Sequence, residues 1–338
     1  MTDPACGFAA VGGPGRHKCS EAGIATAAAL AATDTTDVVV LALGNSEWQN
    51  GFTCHEGKDR ESSIGLPGQQ LEVVSAVLNA TRGKGKPIVA VLINGGLVSL
   101  DTLTAVPVSA AQQLAIVEAL LPGNTGASAV VAALFGRTNT FGKLPFTMVP
   151  SSFVDESDFA DLSMSNPPGR SYKYYTGKAL YEYSAGLSYT TFALSPSSPA
   201  AVAVAVGDEV EWPTVSVTVT NTGALAGDEV VFLFHNASVA HSAWLTGQIA
   251  SQVAAPPLPM KQLVDFERVS LQPGQSTVVT FQLTPNSVAT VDAAGSRRVL
   301  PGGHSLVVTR GASHVVDEVR TELQVQALMP LVLSQLPA

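Results

Sequence analysis

VVVLALGNSEWQNGFTCHEGKDRESSIGLPGQQ, residues 38–70, is the stretch that decides the fold. Its apolar run, 38–43, ends at Gly44, and this pattern predicts a buried strand of a parallel sheet. The polar residues that follow show no periodicity before Leu71, which indicates a long loop at the carboxyl end of the strand. Open α/β sheets place their binding groups at that end. Glu47 and Glu56, nine residues apart on this loop, are therefore candidates for a general acid or base.

Strand and helix patterns alternate through the first 135 residues. A second strand is predicted over 88–93, and helices are predicted over 21–33, 69–80, 109–121 and 127–135. Alternation at this spacing predicts a parallel sheet with helices on both faces. Beyond residue 200 the pattern changes to short runs of alternating hydrophobicity, which predict a two-sheet sandwich over 214–220, 229–234, 264–269, 276–283 and 305–309.

Composition excludes several functions. The chain has 338 residues, enough for two domains, and a formal net charge of −9, which argues against binding nucleic acid or an anionic membrane. No apolar stretch is long enough to span a bilayer, and the first residues lack the basic region of a signal peptide. The histidines show no ligand spacing, and adjacent residues such as Cys54, His55 and Glu56 rarely converge on one ion, so no metal or cofactor is expected.

Several motifs carry a family resemblance in the right order. EGKDR (56–60) with GLPGQQ (65–70), PGNTGASAVVAALFGRTNTFGKLPFTMVP (122–150) and GRSYKYYTGKALYEYSAGLSYTTF (169–192) resemble the C-terminal catalytic domain of glycoside hydrolase family three. This is the β-glucosidase and β-xylosidase family. VTNTGALAGDEVV (219–231) and LPGGHSLVV (300–308) resemble the fibronectin type III-like domain that closes many of its enzymes.

The resemblance implies a fold and its boundaries. An α/β sandwich with a mainly parallel sheet is expected over 1–155, a wrapping linker over 156–200, and a fibronectin type III-like β-sandwich over 201–326. In the resembled family the nucleophile is an aspartate from a preceding barrel domain. We expect no barrel in this chain, whether it is a truncated gene model or a subunit completed by a separate barrel.

The resemblance also implies an activity. It indicates the C-terminal portion of an exo-acting retaining β-glycosidase that removes terminal sugars from plant-type oligosaccharides or glycosides, inactive when the chain stands alone. The alternative is a non-catalytic carbohydrate-binding or scaffold protein that kept the fold. A secreted or vacuolar location is implied for the parent enzyme. The expected partners are a carbohydrate substrate and the barrel, with neither nucleic acid nor membrane.

The acid/base residue has two candidates by resemblance. In many β-glucosidases of the family it lies nine residues before the glutamate of the E-G-x-D-R motif, which is the position of Glu47. In the β-xylosidase branch it lies two residues before, and that position holds Cys54, which does not serve as a general acid in the same way. Glu47 is therefore the leading candidate and Glu56 the fallback, with loss of the role as the third alternative.

Five further residues are candidates for substrate binding. Trp48 offers a ring on which a sugar can stack, although a loop aromatic is as often a packing anchor. Asp59 and Arg60 are expected to form an ion pair that fixes the loop or, less readily, to touch substrate. Asn94 and Gly95 follow the second strand, where glycine permits close approach of a ligand to the backbone. A tight turn is the structural alternative.

Overall fold

The structure is a computed structural model, and it divides into two compact units. The α/β unit contains 1–134, 148–161 and 178–180, and the sandwich unit contains 135–147, 162–177 and 181–338. The predicted domain boundaries stay a prediction. The residues that the structure describes are 21–44, 64–66, 69–105, 113–158, 160–205, 211–236, 240, 257–292, 294–311, 318–327 and 330–334.

The α/β unit alternates strands and helices, as predicted. Three parallel strands form one sheet in the order β1-β2-β3. The strands are β1 Val39–Gly44, β2 Pro87–Ile93 and β3 Gln113–Glu118. The helices are α1 Glu21–Ala31, α2 Gln70–Ala80, α3 Asp101–Ala105, α4 Gly126–Leu134 and α5 Phe153–Glu156.

One face of the sheet is completely buried along β2. Ile88, Ala90 and Leu92 alternate along β2 and are completely buried. Helix α2 contributes Val74, Val77 and Leu78, which are also buried, and it contacts α1 and α3. The predicted strands at 38–43 and 88–93 and the predicted helices at 69–80 and 127–135 are confirmed.

The predicted helix over 109–121 is wrong for the described residues. Residues 113–118 form strand β3, which pairs with β2 in parallel from Pro87 opposite Gln113 to Leu92 opposite Glu118. The segment is rich in Ala, Leu, Gln and Glu, which favour helix when only local propensity acts. The open edge of β2 offers a full ladder of hydrogen bonds, and this tertiary pairing overrides the propensity.

The sandwich unit contains one short helix, eleven strands and a 3-10 turn at Pro285–Ser287 among its described residues. Its sheets have the orders β5-β13-β12-β7-β8, β4-β6-β9 and β10-β11-β14. Every pairing is antiparallel except that of β13 with β5. The elements are α6 Ser171–Tyr174, β4 Phe192–Pro196, β5 Ala201–Ala205, β6 Thr214–Asn221, β7 Gly227–Asn236, β8 Gln262–Leu271, β9 Ser276–Gln282, β10 Thr290–Val291, β11 Arg297–Val299, β12 Gly302–Thr309, β13 Glu318–Gln326 and β14 Leu331–Ser334.

Alternation along the strands builds the core of the sandwich. In β6 the side chains of Val215, Val217 and Val219 are fully buried, while the residues between them are only partly covered. Period-2 burial of this kind is what two facing sheets require. All five strands predicted from alternation are confirmed.

A buried carboxylate organises one side of the sandwich unit. Glu229 on β7 is almost completely buried and lies 2.8 Å from Lys143 Nζ and 3.0 Å from Arg310 Nη1. Its Oε1 also accepts a hydrogen bond from the backbone N–H of Val230. One negative charge therefore stands between two largely buried positive charges.

Asn221 fixes the turn after β6. Its side chain is fully buried, and its Nδ2 donates to the carbonyl oxygens of Leu225 and Leu271. Its Oδ1 accepts from Thr190 Oγ1 and from the Gly223 N–H. All four hydrogen-bonding positions of the amide are therefore used.

Two buried imidazoles form a hydrogen-bonded pair in the five-stranded sheet. His235 Nε2 lies 2.8 Å from His304 Nδ1, and His304 Nε2 lies 2.8 Å from the Leu300 carbonyl oxygen. A carbonyl only accepts, so His304 Nε2 carries a hydrogen. In the neutral pair, His304 Nδ1 then accepts from His235 Nε2. Burial and the neighbouring imidazole lower the pKa of His235 to about 3, and burial also lowers the pKa of His304.

Tyrosines of the segment before β4 pack on the outer face of β7. The rings of Tyr172 and Tyr183 stack with centroids 4.4 Å apart, and both rings contact Phe234 edge-on. The Tyr172 hydroxyl also accepts a hydrogen bond from the Leu263 N–H. These aromatic side chains thus share a core with the sandwich strands. None of the helices in the described ranges is long and apolar enough to cross a membrane.

Candidate functional site

The structure describes two of the seven residues predicted for the site. Asn94 and Gly95 lie directly after β2, at the carboxyl edge of the parallel sheet, as the sequence predicts. The other five lie outside the described residues, and their roles stay predictions: Glu47, Trp48, Glu56, Asp59 and Arg60.

The end of β1 is held rigidly at this edge. Gly44 has φ +138°, and a Cβ placed on it would lie 1.9 Å from the Ile93 carbonyl oxygen, so only glycine fits. The side-chain amide of Gln70 binds the backbone of Gly44 in both directions, with its Nε2 donating to Gly44 O and its Oε1 accepting from Gly44 N, each at 2.8 Å. The first residue of α2 therefore fixes the point at which β1 ends.

Asn94 is buried beneath the turn that follows β2. Its side chain has no exposed surface, its backbone N–H donates to Leu120 O, and its Nδ2 donates to Gly96 O at 2.8 Å. Within the described ranges, its Oδ1 has no hydrogen-bond donor. Gly95, the next residue, is exposed. The two predicted functional positions thus combine a fixed polar group with an exposed glycine, while their contact with substrate stays a prediction.

Glu118 is a site residue that sequence reasoning missed. It ends β3 beside the end of β2, and its Oε1 accepts a hydrogen bond from the Leu120 N–H at 3.1 Å. Burial raises the pKa of Glu118, and this effect exceeds the lowering by the Leu120 N–H and by the Asn94 side chain. Its Oε2 receives no hydrogen bond from any residue that the structure describes. A strand assignment for 113–118 would have revealed it as an acid at the carboxyl edge.

Asn94 and Glu118 place two acceptor oxygens at neighbouring strand ends. Gln69 Oε1, beside the start of α2, is another buried oxygen of this unit for which the described residues supply no donor. A carboxyl with a raised pKa suits proton transfer or hydrogen bonding to a neutral ligand. Retaining glycosidases need two carboxyl groups about 5–5.5 Å apart. Among the described residues, burial is the largest cause of the raised pKa of Glu118.

The sandwich unit offers no comparable site in its described part. A cleft of about 180 Å³ is lined by Asn139, Thr140, Asp228 and Ser270, among others. Both carboxylate oxygens of Asp228 are engaged, one by Arg268 and the other by Ser270 Oγ. The same contacts lower the pKa of Asp228 against the opposing effect of burial. Across the described ranges, no group of three or more His, Cys, Asp and Glu residues is arranged to hold a metal ion.

Comparison with known proteins identifies both parts of the chain. Residues 16–189 match the glycosyl hydrolase family 3 C-terminal domain, and residues 249–313 match a fibronectin type III-like domain. Beta-D-xylosidase 3 of Arabidopsis thaliana is 31% identical over 324 residues, which cover 86% of this chain and 38% of that protein.

Solved structures agree with this assignment. A β-glucosidase from Erythrobacter marinus superposes with a TM-score of 0.65 at 31% identity, covering 89% of this chain and 36% of that one. The family 3 exo-β-xylosidase XlnD, at 24% identity, shares the fold with a TM-score of 0.73 over 94% of this chain and 39% of its own. The chain thus spans less than two fifths of the length of these relatives. Because the family domain matches just over half of its residues, the chain belongs to glycosyl hydrolase family 3, whose C-terminal region it represents.

Proposed function

We propose that this chain supplies the C-terminal part of an exo-acting retaining β-glycosidase, a β-xylosidase or β-glucosidase. The observation that supports this most directly is the family match over 16–189, with an Arabidopsis relative named as a β-D-xylosidase. Xylan breakdown by a secreted or vacuolar enzyme is the biological setting that we propose with it. The substrate class is a plant-type oligosaccharide or glycoside with a terminal β-linked sugar.

The chemistry divides between two carboxyl groups. One attacks the anomeric carbon, and the other protonates the leaving oxygen and later activates water. We assign the second role to Glu47 and keep Glu56 as the fallback. The nucleophilic aspartate is assigned to a barrel domain, because this is the arrangement that family resemblance implies. The rigid end of β1 at Gly44 supports the assignment, since the segment with both glutamates begins from a fixed point.

The second candidate function is a carbohydrate-binding or scaffold protein without catalysis. It is favoured by one observation, namely that Cys54 occupies the position of the acid in the β-xylosidase branch. A thiol has a pKa near 8.5 and does not replace a glutamic acid as proton donor at acidic pH. The two functions differ in whether bound sugar is hydrolysed.

Hydrolysis of 4-nitrophenyl β-D-xyloside and β-D-glucoside tests the proposal. The 338-residue chain is assayed alone and together with a separately expressed family 3 barrel domain. We expect no turnover by the chain alone and measurable turnover after complementation, which Glu47→Gln reduces at least 100-fold. Glu156→Gln, at an exposed position of the α/β unit, is the matched control and should keep full activity.

Other outcomes of this assay decide between the candidates. Loss of activity in Glu56→Gln but not in Glu47→Gln would transfer the acid role to Glu56. Binding of sugar without hydrolysis in the complemented protein would contradict the glycosidase and support the scaffold.

A further inference from the structure

Two neighbouring buried oxygens at the carboxyl edge of the α/β sheet accept no hydrogen bond from the residues that the structure describes. They are Asn94 Oδ1 and Glu118 Oε2, and they belong to adjacent strand ends because Leu92 of β2 pairs with Glu118 of β3. A buried polar atom without a partner costs about 1–3 kcal/mol. Such atoms are rare in folded proteins, so each calls for a donor that completes it.

The surrounding hydrogen bonds fix the directions of both oxygens. Asn94 Nδ2 donates to Gly96 O, which sets the orientation of the amide and leaves Oδ1 as the free end. Glu118 Oε1 accepts from Leu120 N, while Leu120 O accepts from Asn94 N, so one residue holds both strand ends. Leu120 itself has φ +51°, a left-handed conformation that costs energy outside glycine. The two acceptors are therefore held in place before any ligand arrives.

The turn at Gly95 and Gly96, next to these oxygens, is accessible to a ligand. Gly95 is exposed and has no side chain, and Gly96 is half-buried. A ligand can approach the backbone of glycine more closely than that of any other residue, because glycine has no Cβ. The buried amide of Asn94 thus lies one residue away from accessible surface.

We propose that Asn94 Oδ1 and Glu118 Oε2 accept hydrogen bonds from two neighbouring hydroxyl groups of an uncharged saccharide. This makes Glu118 a specificity-determining residue, and the inference rests on the proposed glycosidase function. Two acceptors held at neighbouring strand ends favour a ligand with adjacent donors, and the vicinal hydroxyls of a pyranose ring supply them. A site built to receive hydroxyl groups strongly rejects analogues that lack them.

The first experiment measures sugar binding to the 338-residue chain and to Glu118→Gln. Glutamine has nearly the same volume, but its amide nitrogen replaces one oxygen and can itself donate to Asn94 Oδ1. We expect Glu118→Gln to unfold at a higher temperature than the wild type and to bind D-xylose, D-glucose and xylobiose about tenfold more weakly by calorimetry or saturation-transfer NMR. Glu156→Gln should match the wild type in both measurements. Equal sugar affinity of Glu118→Gln and the wild type would overturn the inference.

A second experiment changes the ligand and leaves the protein intact. In a series of monodeoxy xyloses, removal of a hydroxyl that Glu118 receives should weaken binding to the wild type about tenfold and binding to Glu118→Gln hardly at all. An equal loss in both proteins for every deoxy sugar would show that Glu118 receives no hydroxyl. This comparison holds even if Glu118→Gln changes the stability of the unit.

The hydrolysis assay separates failure of this inference from failure of the proposed function. Hydrolysis by the complemented protein with an unchanged KM in Glu118→Gln would overturn only the hydroxyl-binding role. Sugar binding that depends on Glu118, without hydrolysis, would support this inference and contradict the glycosidase. Absence of sugar binding by both the chain and the complemented protein would overturn both.

Discussion

The buried His235–His304 pair predicts that the sandwich unit loses stability steeply in acid. The folded-state pKa of His235 is about 3, whereas the unfolded chain has the ordinary histidine value of about 6.5. Above pH 6.5 the His235 imidazole is neutral in both the folded and the unfolded chain, so its titration does not lower the free energy of unfolding. Below pH 6.5 the unfolded chain binds a proton that the folded chain excludes, so the free energy of unfolding falls until the pH reaches the folded-state pKa.

The size of the loss follows from this difference. Each pH unit between 6.5 and 3 removes about 1.36 kcal/mol per excluded proton, so His235 alone removes about 2.7 kcal/mol between pH 6.5 and pH 4.5. His304, whose pKa is also lowered, acts in the same direction. A loss of this size is a large fraction of the 5–15 kcal/mol that stabilises a typical domain.

Urea unfolding at a series of pH values measures the effect. Tryptophan fluorescence reports on the sandwich through Trp212, which is buried in its core. The double variant His235→Gln and His304→Gln keeps side chains that can hydrogen-bond but cannot titrate. We expect its unfolding free energy to fall between pH 6.5 and pH 4.5 by at least 2 kcal/mol less than that of the wild type. Equal slopes in the two proteins, or an NMR titration of His235 with a midpoint near 6.5, would refute the reasoning.

Three further substitutions test the packing, each by urea unfolding. Gly44→Ala should destabilise the α/β unit by more than about 2 kcal/mol, because its Cβ meets a backbone oxygen, while Gly142→Ala, at an open position, should change stability by less than about 0.5 kcal/mol. Glu229→Ala should cost about 3–5 kcal/mol because it leaves two cations largely buried, and Glu318→Ala, which removes an exposed pair, less than about 1 kcal/mol. Asn221→Ala should cost about 3 kcal/mol, since it removes four hydrogen bonds, of which those with Thr190 Oγ1 and Leu271 O are buried. Neutral results at Gly44, Glu229 or Asn221 would contradict the corresponding contacts.

The sandwich strands were predictable because each has one buried face. The regular alternation of β6 is visible in the sequence and reappears as alternating burial. Strand β13 carries the same signal, with Thr321, Leu323 and Val325 buried on one face, and reasoning from the sequence overlooked it. Strands of two or three residues, such as β10 and β11, are too short for any period to appear. Their pairing depends on contacts that only the folded sheet supplies.

The buried polar contacts were not predictable from local patterns. Glu229 lies in a predicted strand, but nothing near it in the sequence indicates that Lys143 and Arg310 approach its carboxylate. The pairing of His235 with His304 is of the same kind, because it depends on the register between β7 and β12. Register is set by the whole hydrophobic pattern of a sheet, and it brings together residues that are distant in the chain.

The candidate site shows how one wrong element hides a functional residue. Asn94 was found because its strand was predicted correctly and strand ends carry binding groups. If 113–118 had been predicted as a strand, the same rule would have indicated Glu118 at its carboxyl end. A predicted helix places this glutamate at no sheet edge. The error lies in the choice between a helix and a strand for a short run whose residues favour helix. Pairing with the edge of β2 makes 113–118 a strand, and this pairing is not visible in the local sequence. The strand places the Glu118 carboxyl beside the Asn94 amide, which the sequence had already indicated as part of the site.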